Sequence, residues 1–110
     1  MSNEPENPIR RLMNLDRTVH EPARLAILLL LNAVERADFL YILDETGMSK
    51  GNLSSHLSKL EAAGCIHVEK TFVDKIPRTE YELTADGRKA LASHRESLLD
   101  ALAASEPPVR

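Results

Sequence analysis

The sequence has one cysteine, four glycines and no tryptophan, and these scarcities limit what the 110-residue chain can be. A single cysteine cannot form an intramolecular disulfide, so Cys65 indicates a fold without a disulfide framework and a reducing compartment. The longest apolar run, from Leu25 to Leu31, has seven residues, whereas a membrane-spanning helix needs roughly 20. No basic stretch followed by an apolar core opens the chain, so we expect neither a secretory signal nor a membrane partner.

Excess positive charge is also lacking. Seventeen acidic residues against fourteen basic ones give a net charge of −3, so any binding to nucleic acid must come from a local patch. An apolar fraction of 43% and a charged fraction of 28% are typical of one ordinary globular domain. We expect residues 7–104 to form that domain, with disordered ends at 1–6 and 105–110, because both ends are polar and rich in proline.

Enzyme motifs are absent from the sequence. It contains no Gly-rich phosphate loop, no nucleophile elbow and no paired carboxylate motif. Its four histidines and Cys65 do not show the spacing of zinc ligands. We therefore expect no catalytic residue, no cofactor and no metal. Cys65 is expected to pack inside as a small apolar residue, because a redox switch needs an exposed thiolate of low pKa.

Two helices are predicted in the first third of the chain. Asn7 can cap a helix and Pro8 is preset for its first position, so a short helix should run to about Asp16. Pro22 opens a second helix in the same way. From Arg24 to Glu35 nearly every position is apolar, which is typical of a helix at the centre of a fold.

The next two helices are predicted to form a helix-turn-helix. Asp38 can cap the first of them and Gly47 closes it. Ser49 can cap the second, in which leucines spaced by four and three residues, beginning at Leu53, define one buried stripe. The short turn between these helices is that of a helix-turn-helix.

A β-hairpin is predicted after Gly64, where the apolar pattern changes to alternation. Strands are expected around 66–69 and 79–83, joined by a long and partly basic tip over 72–78, because Pro77 argues against an uninterrupted ladder. Thr84 can cap a final helix. This order of elements predicts a mainly α fold with a small β-hairpin (α+β), a winged helix-turn-helix with additional N- and C-terminal helices.

Four segments of the chain resemble the small stand-alone winged-helix regulators related to the MarR and ArsR groups. They are HEPARLAIL (20–28), GNLSSHL (51–57), LEAAG (60–64) and the stretch from PRT to LTADGR (77–88). The resemblance covers about 19–102. It implies a cytoplasmic, nucleoid-associated prokaryotic transcriptional regulator that binds a palindromic operator as a homodimer. It also implies that 52–59 reads bases and that Arg78 is the wing residue, although Ser55 stands where many MarR-type proteins carry arginine.

The residues themselves also indicate DNA binding. The exposed face of the fourth helix should carry small and hydrogen-bonding side chains, which suit contact with base edges. Residues 48–79 contain five basic and three acidic residues, a charge of +2, so the rest of the chain carries −5. We expect Asn52 and Ser55 at base edges and the lysines nearer phosphates. The candidate DNA-binding residues are Lys50, Asn52, Ser54, Ser55, His56, Ser58, Lys59, Lys70, Lys75, Arg78 and Thr79.

Two further expectations concern partners. Apolar residues of the terminal helices form a narrow seam that extends beyond the winged core, so they are candidates for a dimer interface. The leucines among them could instead cover the central helix. The candidate interface residues are Ile9, Leu12, Met13, Leu91, Leu98 and Leu102. A winged helix used for protein–protein contact remains the alternative function, which the net acidity favours, and a small-molecule effector is compatible with the sequence but not identified by it.

Overall fold

Five helices and a three-stranded antiparallel sheet make up the computed structural model, which describes residues 7–109. The mainly α class with a small sheet is confirmed. The predicted disorder of 1–6 lies outside the described residues. No helix within the described residues has the length and hydropathy required to span a membrane. In chain order the elements are α1 (Pro8–Met13), α2 (Pro22–Ala33), β1 (Ala37–Asp38), α3 (Phe39–Thr46), α4 (Lys50–Ala62), β2 (Ile66–Val73), β3 (Ile76–Leu83) and α5 (Ala85–Ala104).

Four of the five helices begin at the capping residues predicted from the sequence. In each case a side-chain oxygen accepts a hydrogen bond of 2.8–3.2 Å from a backbone N–H two or three residues on, which satisfies a donor that the helix leaves unpaired. The capping residue of α2 is Glu21, which accepts from the backbone N–H of Arg24 at 2.7 Å. The four other caps are Asn7, Asp38, Ser49 and Thr84.

Helix α1 is shorter than predicted and ends at Met13 rather than near Asp16. Asp16 instead organises the next turn. Its side chain accepts from the backbone N–H of Thr18 at 2.9 Å, and its carbonyl accepts from Val19 and His20. An aspartate that bonds its own backbone in this way competes with continuation of a helix.

The end of α4 is a Schellman motif, as the sequence predicts. Gly64 has a φ of +78°, its N–H donates to the carbonyl of Glu61, and the N–H of Cys65 donates to that of Leu60. Cys65 is buried in the core, and burial raises the pKa of its thiol, with smaller contributions from two aspartates. The expectation of a packed, unreactive cysteine therefore agrees with its surroundings.

The hairpin differs from the one predicted from the sequence. The two strands pair without interruption from Ile66↔Leu83 to Val73↔Ile76, so the predicted long tip is wrong and the turn has only two residues. Both turn residues have positive φ, as a type I′ turn requires. Pro77 is tolerated because it occupies the pair next to the turn's hydrogen-bonded pair, and that position donates no hydrogen bond across the ladder.

Helix α2 lies at the centre of the fold, as its apolar circumference predicts. Its Ile27, Leu28 and Leu31 are at most 1% exposed, and it contacts α3, α4, α5 and β3. The leucine stripe of α4 packs into the same core, together with Ile66 and Leu83 of the sheet. This core holds α4 with its opposite face in solvent.

The molecule is elongated, and its two terminal helices pack against each other. The molecule measures 63 × 35 × 22 Å and has a radius of gyration of 17.1 Å, whereas a compact chain of this length has about 13 Å. Helix α1 packs along α5, where Arg11 forms an ion pair with Asp100 at 3.0 Å and a hydrogen bond with Ser97 at 3.2 Å. We refer to α1 and residues 94–104 as the terminal arm.

Candidate nucleic-acid interface

Helix α4 presents a polar face to solvent. Its stripe of Leu53, Leu57 and Leu60 is at most 3% exposed, which confirms the predicted inward face. The opposite face carries small or hydrogen-bonding side chains and two lysines, and no acidic residue lies in the first turn. The exposed residues of α4 are Lys50, Gly51, Asn52, Ser54, Ser55, Ser58, Lys59, Glu61 and Ala62.

This face is electrostatically suited to an anionic partner despite its low charge. Its lysines lie near the two ends of the helix, and no acidic residue interrupts the sequence from Ser49 to Leu60. The positive end of the helix dipole adds to Lys50 at the N-terminus. Serine and asparagine between the lysines can donate to or accept from base edges without keeping the backbone at a distance.

His56 differs from the other predicted residues of α4. Its Nδ1 lies 3.2 Å from the Nη1 of Arg24 and 3.8 Å from a carboxylate oxygen of Glu21, so the ring is turned toward the start of α2. Arg24 also donates to the carbonyls of Thr18 and Arg17. The structure therefore places His56 among contacts that fix α4 against α2, rather than on the exposed face.

Arg24 and Glu21 were missed as contributors to this site. The backbone N–H of Arg24 donates to the Glu21 carboxylate, and this hydrogen bond is the main reason that the pKa of Glu21 is lowered. Nearby His56 and Arg24 charges act in the same direction. The only sequence signal was their inclusion in the segment 20–28 that resembles known regulators.

The hairpin continues the surface of α4 on one side. Alternate residues of β2 and β3 face α4, where they close a shallow cleft. The structure thus brings together four of the predicted residues from separate elements, while Lys75 lies in the turn at the far end of the hairpin. The four are Ser54 and Ser58 of α4, Lys70 of β2 and Thr79 of β3.

Arg78 lies on the other side of the hairpin, which corrects its predicted position. It pairs with Thr71, the third pair from the turn, so it does not project from the tip. Its guanidinium lies 3.2 Å from Asp38 and 3.6 Å from Glu80. The second oxygen of Asp38 caps α3 by accepting from the N–H of Tyr41, so Arg78 connects the hairpin to the start of the helix-turn-helix.

The same side of the sheet is acidic. Arg36 lies within 3.5–4.0 Å of the carboxylates of Glu69, Glu80 and Glu82. With Asp38 and Arg78 this face has four carboxylates and two guanidinium groups. The two faces of the hairpin therefore differ in charge, and the face toward α4 is the one that continues the lysine-bearing surface.

Two histidines that are distant in sequence meet between α2 and α5. The Nδ1 of His20 lies 2.9 Å from the Nε2 of His94, and burial lowers the pKa of His94, with His20 lowering it further. The sequence gives no sign of this contact, because 74 residues separate the pair. Within 7–109 no group of three or more His, Cys, Asp or Glu side chains is arranged to hold a metal ion.

The predicted dimer residues divide into three groups: Leu91 is buried, Leu12 and Leu98 are half-buried, and Ile9, Met13 and Leu102 are exposed. Leu91 is only 7% exposed and belongs to the core, so its assignment to an exposed seam is wrong and the alternative of covering the central helix holds for it. Leu98 lines a groove of about 480 Å³ between α2 and α5. The strongly exposed apolar side chains nearby are Ile9, Met13, Leu29, Leu99 and Leu102, of which Leu29 and Leu99 were not predicted.

Known proteins share both sequence and fold with this chain. A family model described as a winged helix DNA-binding domain matches residues 23–102. An uncharacterized protein of Methanocaldococcus jannaschii is 32% identical over 76 residues, which are 69% of this chain and 83% of that protein. The structure of a transcriptional regulator homologue from Pyrococcus horikoshii is similar over 91% of this chain and 98% of its own, with a TM-score of 0.83 and 27% identity.

More distant structures share the fold alone. A MarR family transcriptional regulator from Streptomyces coelicolor, in complex with DNA, is similar over 92% of this chain and 70% of its own, with a TM-score of 0.62 and 19% identity. An ArsR family regulator also has this fold. The expected winged-helix DNA-binding domain is confirmed, and its fold is shared with structures of MarR and ArsR family transcriptional regulators. From residue 23 to residue 102, this chain belongs to the winged helix DNA-binding domain family.

Proposed function

We propose that the protein is a cytoplasmic regulator of transcription in a prokaryote that binds double-stranded DNA sequence-specifically, as a homodimer on a palindromic operator. The observation that carries this proposal is the exposed face of α4, which has small polar side chains and no acidic residue from Ser49 to Leu60. In a chain of net charge −3, this face can approach the major groove without repelling phosphates.

The exposed lysine, asparagine and serine residues of α4 each have an expected role. Asn52 and Ser55 are both exposed and are assigned to base edges, whereas Lys50 and Lys59 are assigned to phosphates. The residues that line the cleft beside the hairpin would follow the backbone toward the next groove. The residues assigned this role are Ser54, Ser58, Lys70 and Thr79, and Glu61 and Tyr81 line the same cleft.

The homodimer is supported by the surface that the chain leaves uncovered. A stable interface covers about 800 Å² of each partner. Exposed apolar residues of the terminal arm, with the groove between α2 and α5, provide the surface that a second copy would cover.

Selection of bound duplexes from a random pool tests this function directly. A two-fold dimer should enrich a palindrome whose half-sites are centred about 10 base pairs apart, one turn of the duplex. Enrichment of a single asymmetric site would contradict the dimeric arrangement. Failure to enrich any sequence would contradict sequence-specific binding altogether.

A winged helix that binds another protein is the second candidate function. The acidic side of the sheet, where three glutamates surround Arg36, is the observation that favours it. Salt separates the two candidates, because binding to DNA phosphates weakens steeply as the salt concentration rises. The absence of a salt-dependent shift of duplex DNA would favour the protein-binding function.

A further inference from the structure

We propose that the tip of the hairpin binds DNA through apolar side chains, with Phe72 and Ile76 entering the minor groove beside the site of α4. This inference rests on the proposed function and specifies how the hairpin takes part in it. Arg78 is not the inserted group in this arrangement but a positioning residue that holds the hairpin against α3.

The first observation is the exposure of the tip. Phe72 is 75% exposed and Ile76 is 67% exposed. Val73, which pairs with Ile76 in the ladder, is 43% exposed. These side chains add little to the core of the chain, which is formed by other residues. Three large, exposed apolar residues beside the turn of the hairpin therefore indicate a surface that is covered by a partner.

The second observation is that the tip is apolar on both of its faces. Phe72 pairs with Pro77 on the side of α4, whereas Val73 pairs with Ile76 on the opposite side. A flat protein surface would cover only one side of such a ribbon. A groove with two walls covers both. The undistorted minor groove is only about 6 Å wide, so the tip would enter it where inserted apolar side chains unstack the bases and open the groove.

The third observation is that the tip is a stiff projection. Strand β1 pairs only with Glu80 and Tyr81 at the base of β3, so the outer edge of β3 from Ile76 to Thr79 carries no third strand. The two-residue turn and the fixed φ of Pro77 restrict bending of this free part. A preorganised tip can be inserted with little loss of conformational entropy.

Continuity with the DNA-facing surface favours DNA as the occupant. Lys70 lies on the same face as Phe72, two residues closer to the core, and lines the cleft with Ser58 of α4. Lys75 lies in the turn itself. Two lysines on either side of an apolar side chain match a groove in which sugars form the walls and phosphates form the rims.

Arg78 cannot take this role while its ion pairs persist. Its guanidinium is held by Asp38 and Glu80, and it lies about 7 Å behind Ile76 along the strand. Releasing it would leave these carboxylates with one guanidinium, that of Arg36, among four acidic groups. The arrangement fixes the direction of the hairpin and leaves the apolar tip free.

An inserted apolar side chain reads the deformability of DNA rather than base edges. Partial unstacking is easiest at pyrimidine–purine steps such as TA, so the tip should favour such a step where it meets the duplex. Because no phosphate is neutralised, loss of the apolar contact should leave the salt dependence of binding unchanged.

The test is a titration of the full chain and its variants against the duplex that the wild type selects, at several salt concentrations. The variants are Phe72→Ser, Ile76→Ser and the double variant, with Lys75→Ala as the matched control. The double variant should bind about tenfold or more weakly, with an unchanged salt slope and no preference for TA over a G·C step at the hairpin position. Lys75→Ala should lower the slope by about one and keep that preference.

The outcomes separate the tip from the rest of the interface. Wild-type binding with no loss in Phe72→Ser, Ile76→Ser or the double variant would overturn the role of the tip alone. A loss in the double variant accompanied by a lower sedimentation coefficient would overturn it too, because the tip would then join copies of the chain. Failure of the wild type to bind any selected duplex would overturn the proposed function and the tip together.

Discussion

The helix-turn-helix core and the terminal arm differ in how completely the chain covers its own apolar surface. In the core, residues such as Ile42 and Leu53 are fully buried and each helix is capped by a side chain. In the arm, Met13 is 79% and Leu102 is 56% exposed, and Arg11 forms the polar contacts described between α1 and α5. The core therefore covers its own apolar surface, whereas the arm leaves apolar surface exposed, which the proposed second copy would cover.

The largest effect should follow from a cavity in the core. Leu53→Ala removes a fully buried side chain of α4 and should lower the free energy of unfolding by about 4 kcal/mol. Leu102→Ala, in the arm, is the matched control and should lower it by less than about 1 kcal/mol when the chain is monomeric. Urea unfolding at low protein concentration measures both values, and equal losses would remove the contrast between core and arm.

A charge in the arm should act on assembly rather than on folding. Leu98→Glu places a carboxylate in the groove between α2 and α5 and should raise the dimer dissociation constant by roughly a hundredfold, about 2.7 kcal/mol. Analytical ultracentrifugation should then find monomers at micromolar concentration. A wild-type protein that is itself monomeric there would contradict the assignment of the arm.

The Arg78→Ala variant tests whether the face of the hairpin that carries Arg78 positions the hairpin or contacts DNA. Arg78→Ala breaks the pairs with Asp38 and Glu80. Because the side chain is 45% exposed, the free energy of unfolding should fall by only roughly 0.5 kcal/mol. DNA affinity should fall because the hairpin loses its direction, while the salt slope stays that of the wild type. A slope lowered by about one would show that Arg78 neutralises a phosphate.

The smallest effect concerns pH and the contact between core and arm. The pKa of His94 is lowered by burial and by His20, so between that pKa and the ordinary value of 6.5 the unfolded chain binds more protons than the folded chain. Stability should therefore fall as the pH drops below about 6.5. Melting temperatures from pH 7.5 to 5.5 measure this fall, which His94→Gln should reduce. His67→Gln, an exposed histidine on β2, is the control; an equal reduction there would exclude a specific role for His94.

Local features of this fold could be predicted from the sequence, and distant contacts could not. Caps such as Ser49 and the Schellman glycine Gly64 involve residues within a few positions of one another, so their patterns are visible in the chain. The register of the hairpin was not visible, because Asp74-Lys75 lacks the glycine that usually marks a type I′ turn. With the wrong register, Arg78 was expected to project from the tip.

The candidate site shows the same division. The inward and outward faces of α4 follow from helical periodicity, so the exposed positions of Asn52 and Ser55 were correctly predicted. The ring of His56 turns toward Arg24, and His20 meets His94; each of these contacts joins residues more than thirty positions apart. Their geometry depends on the packing of α2, which periodicity alone does not specify.

The central claim is that the exposed face of α4 reads a DNA sequence, and one comparative titration tests it most directly. Wild type, Ser55→Ala and Lys59→Ala are each titrated against the selected operator and against a random duplex at one salt concentration. Ser55→Ala should lose affinity for the operator but not for the random duplex, whereas Lys59→Ala should weaken binding to both by similar factors. Equal losses on both duplexes for both variants would contradict sequence reading by α4.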